Sequence, residues 1–191
     1  MKKLAIISVC LVATFGAYAQ GLFNFSNYAP GATPPINAPI MDALGTKLAG
    51  TAYLAQMYAG PSATELYAQG IAVPFRTGTG VGYWVTGNDT SIVLAGGADP
   101  WRVAGSTVFV QVRAWAAALG TSYELAAGKG QGQFGELTQA LQIASGGGGV
   151  PASVPAFLAG MSSFSLAPVP EPSIVALGLL GAAILVLRRR K

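Results

Sequence analysis

The chain of 191 residues contains no histidine, a single cysteine and few charged side chains, which make up 9% of its residues. Histidine is the usual general base near neutral pH and the commonest metal ligand, so its absence removes the main routes to acid–base catalysis and to metal binding. The single cysteine, Cys10, lies in an apolar N-terminal segment, and no disulfide can form within the chain. We expect a fold that is held by packing alone and that binds no cofactor.

The first 19 residues predict a cleaved signal peptide. A basic start is followed by an apolar run over residues 4–15 and by an A-x-A site formed by Ala17 and Ala19, so we expect cleavage before Gln20. The apolar run is about a dozen residues long, whereas a membrane-spanning helix needs roughly 20. A lipoprotein site at Cys10 is disfavoured because Val9 precedes it where a small residue is required. The expected partners are therefore the Sec translocon and signal peptidase.

The positive charge of the chain is concentrated at its two ends. Of eleven Lys and Arg residues, two lie at positions 2 and 3 and four at positions 188–191, which leaves five in residues 20–167. That middle segment carries six acidic residues, so its net charge is near −1. Its cations are scattered and form no basic patch, and we expect no nucleic-acid partner.

Residues 20–167 predict one mainly β domain. Glycine and proline interrupt the segment every few residues, and β-branched and aromatic residues fill the runs between them. Regular helical periodicity is missing, which favours an antiparallel β-sandwich of the jelly-roll or immunoglobulin type. Residues 136–144 suit a short helix or a strand, residues 145–155 a long loop, and residues 167–170 a linker. The predicted strands cover residues 21–26, 51–59, 71–75, 82–86, 91–95, 107–115 and 163–166.

The clearest of these strands covers residues 107–115. Its alternation places Val108, Val110, Val112 and Ala114 on one face, which we assign to the core. The other face carries three candidate ligand-binding residues, since a flat aromatic ring beside polar groups suits a sugar. Trp115 is equally compatible with the core, whereas Trp84 and Trp101 are predicted to be core residues. The three candidates are Gln111, Arg113 and Trp115.

Other motifs give weaker indications of chemistry. The carboxylates Asp89 and Asp99, or Glu124 and Glu136, are possible pairs for a glycan hydrolase, although solvated or capping acids are the simpler interpretation. The glycine-rich segments 76–84 and 128–135 lack the spacing of a phosphate-binding loop. Segments 87–91 and 97–101 offer oxygen ligands for calcium but match no EF-hand, and turns explain them better.

The C-terminal segment, residues 168–191, has three parts. Val169, Pro170, Glu171 and Pro172 precede an apolar run at about residues 173–187, and a basic tail closes the chain. The run predicts a short transmembrane helix, marginal in length, whose basic end would stay in the cytoplasm. The predicted membrane-stop residues are Arg188, Arg189, Arg190 and Lys191.

These three parts, in this order, resemble the PEP-CTERM sorting signal of Gram-negative bacteria. The resemblance implies that an exosortase recognises Pro170, Glu171 and Pro172, removes the helix and passes the protein to the cell surface. It also implies a transient stay in the inner membrane and an association with exopolysaccharide and biofilm. The segments Tyr53 to Pro61 and Val110 to Ala126 resemble an uncharacterised group of such proteins, in which an acid often follows the tryptophan, where this chain has Ala116.

The sequence therefore leads us to expect an exported, non-enzymatic protein of the cell surface or extracellular matrix. A carbohydrate-binding module that uses Trp115, Arg113 and Gln111 is the first alternative. A carboxylate-dependent glycan hydrolase or lyase is the second, and it requires two acids that face each other across an aromatic cleft.

Overall fold

The computed structural model describes residues 19–86, 91–95, 99–129, 133–148 and 151–168. These residues form a mainly β structure with several antiparallel sheets and one short α-helix, α1 (Tyr123–Gly128), which confirms the predicted mainly β class. The strands are β1 (Leu22–Asn24), β2 (Tyr28–Ala29), β3 (Ile36–Asn37), β4 (Tyr53–Ser62), β5 (Glu65–Pro74), β6 (Ser91–Val93), β7 (Thr107–Ala116), β8 (Gln133–Glu136), β9 (Leu141–Ala144), β10 (Ala156–Phe157) and β11 (Ala167–Pro168).

The largest sheet has six strands and is centred on β7. Its order is β11-β8-β7-β4-β5, and β9 pairs with the first half of β7 on the same side as β8. Strand β7 pairs with β4 without interruption, from Tyr53 opposite Ala116 to Gly60 opposite Phe109. The regular alternation and β-branched content of β7 suit this central position, where both strand edges are hydrogen-bonded.

A second sheet and a hairpin complete the architecture. The second sheet has the order β10-β1-β6, in which β6 runs antiparallel and β10 parallel to β1. The hairpin pairs β2 with β3 inside the proline-marked segment that follows β1. It is held to the remainder of the fold by the buried Asn27, whose side-chain amide donates to the carbonyls of Ala38 and Gly82.

The core lies along the inner face of the six-stranded sheet. Val108, Val110, Val112 and Ala114 are fully buried, as the alternation of β7 predicts. Phe23 of β1 and Met57 of β4 belong to the same cluster, and so do buried loop residues that include Ile40, Leu48, Leu158 and Leu166. One continuous core therefore unites both sheets.

Trp84 and Trp101 differ in how far they are buried. Trp84 is fully buried, its ring stacks on Phe25 at 4.5 Å, and its indole N–H donates to the Phe25 carbonyl. Trp101 is only partly buried, and its ring contacts Arg102 at 4.0 Å and stacks on Tyr67 at 6.2 Å. The prediction for Trp84 is confirmed, and Trp101 lies at the margin of the core.

Several local predictions differ from the structure. Residues 82–86 form no strand but a single bridge from Trp84 to Phe75, and β5 begins earlier than expected, at Glu65. Residues 136–144 form no helix: β8 ends at Glu136, residues 137–140 connect the strands, and β9 covers Leu141–Ala144. Ala167 and Pro168 pair with Phe134 and Gln133 and so belong to the sheet, although the composition of residues 167–170 suggested a linker.

Among the described residues, no helix has the length and apolar character that a membrane crossing requires. The predicted transmembrane helix at about residues 173–187 lies outside the described residues, as does most of the predicted signal peptide.

Candidate functional site

A concentration of polar and charged side chains surrounds Arg113 on the outer face of the six-stranded sheet. We call it the Arg113 cluster, and it is assembled from four elements: β4, β7, β8 and α1. The sheet register brings these groups together, because Tyr58 lies opposite Gln111, and Glu136 lies opposite Arg113. Its members are Tyr58, Gln111, Arg113, Tyr123, Glu124 and Glu136.

Two nitrogens of the Arg113 guanidinium, Nε and Nη1, have polar partners in this cluster, and the group also lies over two aromatic rings. Its Nε donates to Gln111 Oε1 at 2.9 Å and lies 3.3 Å from Glu136 Oε2, while Nη1 lies 3.5 Å from Glu124 Oε1. The guanidinium carbon is 4.2 Å from the centre of the Tyr58 ring and 5.0 Å from that of Tyr123. Arginine suits such a site because its planar group can donate in its plane and contact aromatic rings with its faces.

Helix α1 covers the cluster and is held in place by contacts at its N-terminal end. The Ser122 hydroxyl caps the helix by accepting from the Leu125 amide, and Glu124 places a negative charge in the first turn. The Trp115 indole N–H donates to the Gly120 carbonyl at 2.9 Å, which ties the connection before α1 to the sheet. The six-residue helix thus depends on contacts with the sheet more than on its own propensity.

The ionisable groups of the cluster influence one another. Burial, followed by the charge of Glu136, raises the pKa of Tyr123 to about 12, and Arg113 opposes this rise. Burial, followed by the nearby Glu124, also raises the pKa of Tyr58. The Tyr58 hydroxyl makes no hydrogen bond of standard geometry to a described residue. Burial would raise the pKa of Glu124, yet its own backbone amide, the hydroxyls of Tyr58 and Ser122, and the charge of Arg113 together lower it.

The three candidate ligand-binding residues are brought together, but they are covered. Trp115 is fully buried and Gln111 is 7% exposed, with its amide donating to the Leu137 carbonyl. The Arg113 side chain is 19% exposed and already paired. A ring without an exposed face cannot stack on a sugar, so the arrangement does not support Trp115 as a stacking surface, and the pairing of Arg113 and Gln111 holds the structure together.

Glu124 and Glu136 both pair with Arg113, at 3.5 Å from Nη1 and 3.3 Å from Nε respectively. A glycosidase needs one carboxylic acid whose pKa is raised so that it can donate a proton. The pKa of Glu124 is instead lowered, because its own backbone amide, the Tyr58 and Ser122 hydroxyls and the charge of Arg113 together outweigh the effect of burial. The geometry therefore favours an ion-pair network over an acid–base pair.

The other candidate carboxylate pair, Asp89 and Asp99, is described only in part. Asp99 pairs with Arg102 at 2.9 Å, and Asp89 lies outside the described residues. Within the described ranges, no group of three or more acidic, cysteine or histidine side chains is placed to hold a metal ion.

The predicted processing sites fall mostly outside the described residues. Of the signal-cleavage residues, Ala17 is not described, whereas the Ala19 carbonyl accepts from the Ala104 amide at 2.8 Å and Gln20 bridges Val103. The sorting motif Val169, Pro170, Glu171 and Pro172 follows directly after β11 and is not described, nor is the basic tail.

The sequence did not identify the partners of Arg113, namely Tyr58, Tyr123, Glu124 and Glu136. Two signals were available: the placement of Tyr58 and Gln56 on one face of β4, and the acidic residues at positions 124 and 136 that follow a strand carrying a lone arginine. Neither signal fixes the strand register that joins them.

Comparisons with protein-family models, with curated proteins and with solved structures find no match for this chain.

Proposed function

We propose that this chain is an exported, non-enzymatic protein of the cell surface or extracellular matrix, which an exosortase sorts and processes through its Pro170-Glu171-Pro172 motif. The protein passes through the Sec translocon, loses residues 1–19 to signal peptidase, and stays in the inner membrane until its C-terminal helix is removed. In this proposal the folded β domain is the delivered part, and it associates with exopolysaccharide or biofilm.

The position of β11 is the observation that supports this proposal best. Strand β11 is an edge strand of the six-stranded sheet, and it ends at Pro168, directly before Val169. At the other end, Gln20 bridges Val103 and the Gly21 amide donates to the Arg102 carbonyl at 2.7 Å. The described strands and bridges thus occupy the segment that would remain after cleavage at both predicted sites.

We further infer that the two sheets form a sandwich of the jelly-roll or immunoglobulin type. The shared core supports this inference, because Phe23 of the three-stranded sheet and Met57 and Val110 of the six-stranded sheet belong to one buried cluster. Two sheets that bury one face each against a common core define a sandwich.

The arrangement of the charged groups favours a role without catalysis. Arg113 is paired with both nearby carboxylates, and the aromatic rings around it pack against one another, with Tyr123 5.7 Å from Phe134 and 6.3 Å from Trp115. These contacts stabilise the domain and occupy the space that a substrate would need.

Intact mass spectrometry of the protein from its native host tests the sorting proposal. We expect a species that begins at Gln20 and ends between Pro170 and Pro172. A chain in which Pro170 and Pro172 are replaced by alanine should keep residues 188–191, whereas the matched loop variant Pro30→Ala should be processed normally. Recovery of the unaltered protein with Arg188 to Lys191 still attached would mean that the tail is a lasting anchor.

A further inference from the structure

We propose that a shallow cleft beside β1, rather than the face that carries Trp115, binds a neutral sugar ring. The cleft has a volume of about 340 Å³ and lies where β1, the β2–β3 hairpin and β10 meet. This inference does not depend on the sorting signal, because it concerns only residues of the folded domain. The lining residues are Asn24, Ser26, Tyr28, Ala29, Gly31, Ala32, Thr86 and Phe157.

The described residues that line the cleft include no acid, lysine or arginine, and three of them are small. The nearby cation Arg76 is already engaged with the lining residue Thr86, so this lining favours a neutral ligand over a charged one. Ala29, Gly31 and Ala32 leave open space, and a methyl group placed on Gly31 would have no other atom within 4 Å. Its size lies at the lower end of the range for small-molecule sites, which suits one or two sugar rings.

One residue that lines the cleft carries a buried side-chain oxygen without a hydrogen-bond donor. The side-chain oxygen Oδ1 of Asn24 is buried and accepts no hydrogen bond from any described residue. Two of the other polar side chains are already engaged, since the Ser26 hydroxyl donates to the Tyr28 carbonyl and the Thr86 hydroxyl accepts from Arg76. A buried acceptor without a partner is unfavourable, and a ligand hydroxyl that donates to it removes that penalty.

An aromatic ring stands at the same cleft in a fixed position. Tyr28 is 49% exposed, and its ring lies 5.2 Å from that of Tyr83, whose hydroxyl is hydrogen-bonded to Asn37. Phe157 of β10 adds a second, partly buried ring to the lining. An exposed ring held by its neighbours can pack against the C–H face of a sugar with little loss of side-chain freedom. A sugar supplies both a hydroxyl donor for Asn24 Oδ1 and an apolar C–H face that can pack on the Tyr28 ring.

The test is ligand-observed saturation-transfer NMR on the full chain. The probes are glucose, galactose, N-acetylglucosamine and cellobiose, with the neutral capped dipeptide acetyl-Gly-Gly-amide as the comparison ligand. We expect transfer to the ring C–H protons of at least one sugar, with a dissociation constant in the millimolar range. Binding of the dipeptide and of no sugar would overturn the assignment of the ligand class.

Three variants locate the binding site. Gly31→Phe fills the cleft, and Tyr28→Ala removes the exposed ring; each should weaken sugar binding about tenfold or more. Tyr67→Ala is the matched control, because Tyr67 is 46% exposed on β5 and is not part of the cleft. Circular dichroism checks that each variant is folded. Sugar binding that is unchanged in Gly31→Phe, or equally reduced in Tyr67→Ala, would place the ligand elsewhere and overturn the proposal.

Discussion

Arg113 makes more side-chain interactions than any other cation that the structure describes, and its chemistry explains why the outer face of β7 is covered. The guanidinium lies near the rings of Tyr58 and Tyr123 and pairs with Glu124 and Glu136. A lysine ammonium could pair with one carboxylate but could not donate to Gln111 and Glu136 from one planar group. This residue therefore links β4, β7, β8 and α1.

Replacing Arg113 with methionine should lower the free energy of unfolding by roughly 2–3 kcal/mol. The change keeps an apolar stem but leaves Gln111 Oε1 without its donor and two carboxylates without their cation. Urea denaturation at neutral pH measures the effect. Lys47→Met, at an exposed position, removes the same charge and should change stability by no more than about 0.5 kcal/mol. Equal effects of the two substitutions would contradict the role assigned to Arg113.

The stability of the fold should decline in alkaline solution. Tyrosine in the unfolded chain ionises near pH 10.0, whereas the pKa of folded Tyr123 is about 12 and that of Tyr58 is raised too. Above pH 10.0 the unfolded chain therefore binds fewer protons than the folded chain, and the free energy of unfolding falls as pH rises. The loss continues towards the raised pKa values, and below pH 10.0 this contribution to stability is fully present.

Urea midpoints between about pH 8 and 11 measure this decline, and Tyr58→Phe supplies the comparison. The variant removes a buried hydroxyl that lacks a well-formed hydrogen bond, so its stability near pH 7 should stay close to that of the original protein. Its stability should fall less steeply above pH 10.0. A variant that follows the original protein at every pH would show that Tyr58 ionises equally in both states.

At the scale of elements, the sequence predicts strands well where local pattern and tertiary position agree. Strand β7 alternates regularly and lies in the centre of its sheet, so its bounds and its core face were predicted almost correctly. Four strands have only two residues each, too few to show an alternating pattern: β2, β3, β10 and β11. They form because the neighbouring strand offers hydrogen-bonding partners. Only long-range register determines such pairings.

Helix α1 shows the same limit for the candidate site. Its six residues lie between Gly120 and Lys129 and are too few to form a stable helix alone, yet the helix packs on β7 and its Tyr123 ring contacts the buried Trp115. From the strand alone, Gln111, Arg113 and Trp115 could be placed on one face, as they are. Whether that face of β7 is exposed to solvent depends on α1, and local helix propensity does not predict so short a helix.

Gly60 is the residue on which the β4–β5 hairpin depends most directly. A Cβ atom there would lie 1.8 Å from the Glu65 carbonyl oxygen, which is backbone and cannot move without disturbing the hairpin. Gly60→Ala should therefore cost about 3 kcal/mol or more. Gly128→Ala is the control, since its Cβ would meet nothing within 4 Å and alanine favours the helix. Thermal denaturation compares the two variants, and a stable Gly60→Ala protein would show that the hairpin adjusts.

For the whole molecule, charge is distributed unevenly between the two ends of the chain and residues 20–167. The ends carry six of the eleven cations, and the domain is close to neutral, with a slight excess of acid. A nearly neutral domain has little long-range attraction for anionic polymers. Association with a polysaccharide would then depend on short-range contacts of the kind that the cleft at Tyr28 and Asn24 offers.

The position of β11 leads to a prediction about where the chain can be shortened. We compare three forms that begin at Gln20 and end at Lys191, Pro172 or Leu166. The form that ends at Pro172 keeps the pairing of Ala167 and Pro168 with β8, so its stability should match that of the longest form within about 0.5 kcal/mol. The form that ends at Leu166 loses this strand and exposes the edge of β8, which should cost about 1–3 kcal/mol.

Melting temperatures in a mild detergent, the same for all three forms, measure the difference, which corresponds to a few degrees for a domain of about 150 residues. Removal of the segment after Pro172 should thus leave the fold intact, as the removal of a sorting signal requires. Further removal of the strand residues Ala167 and Pro168 should lower the melting temperature. Equal melting temperatures for the forms that end at Pro172 and at Leu166 would show that residues 173–191 stabilise the domain. Their proposed removal would then be incompatible with a stable product.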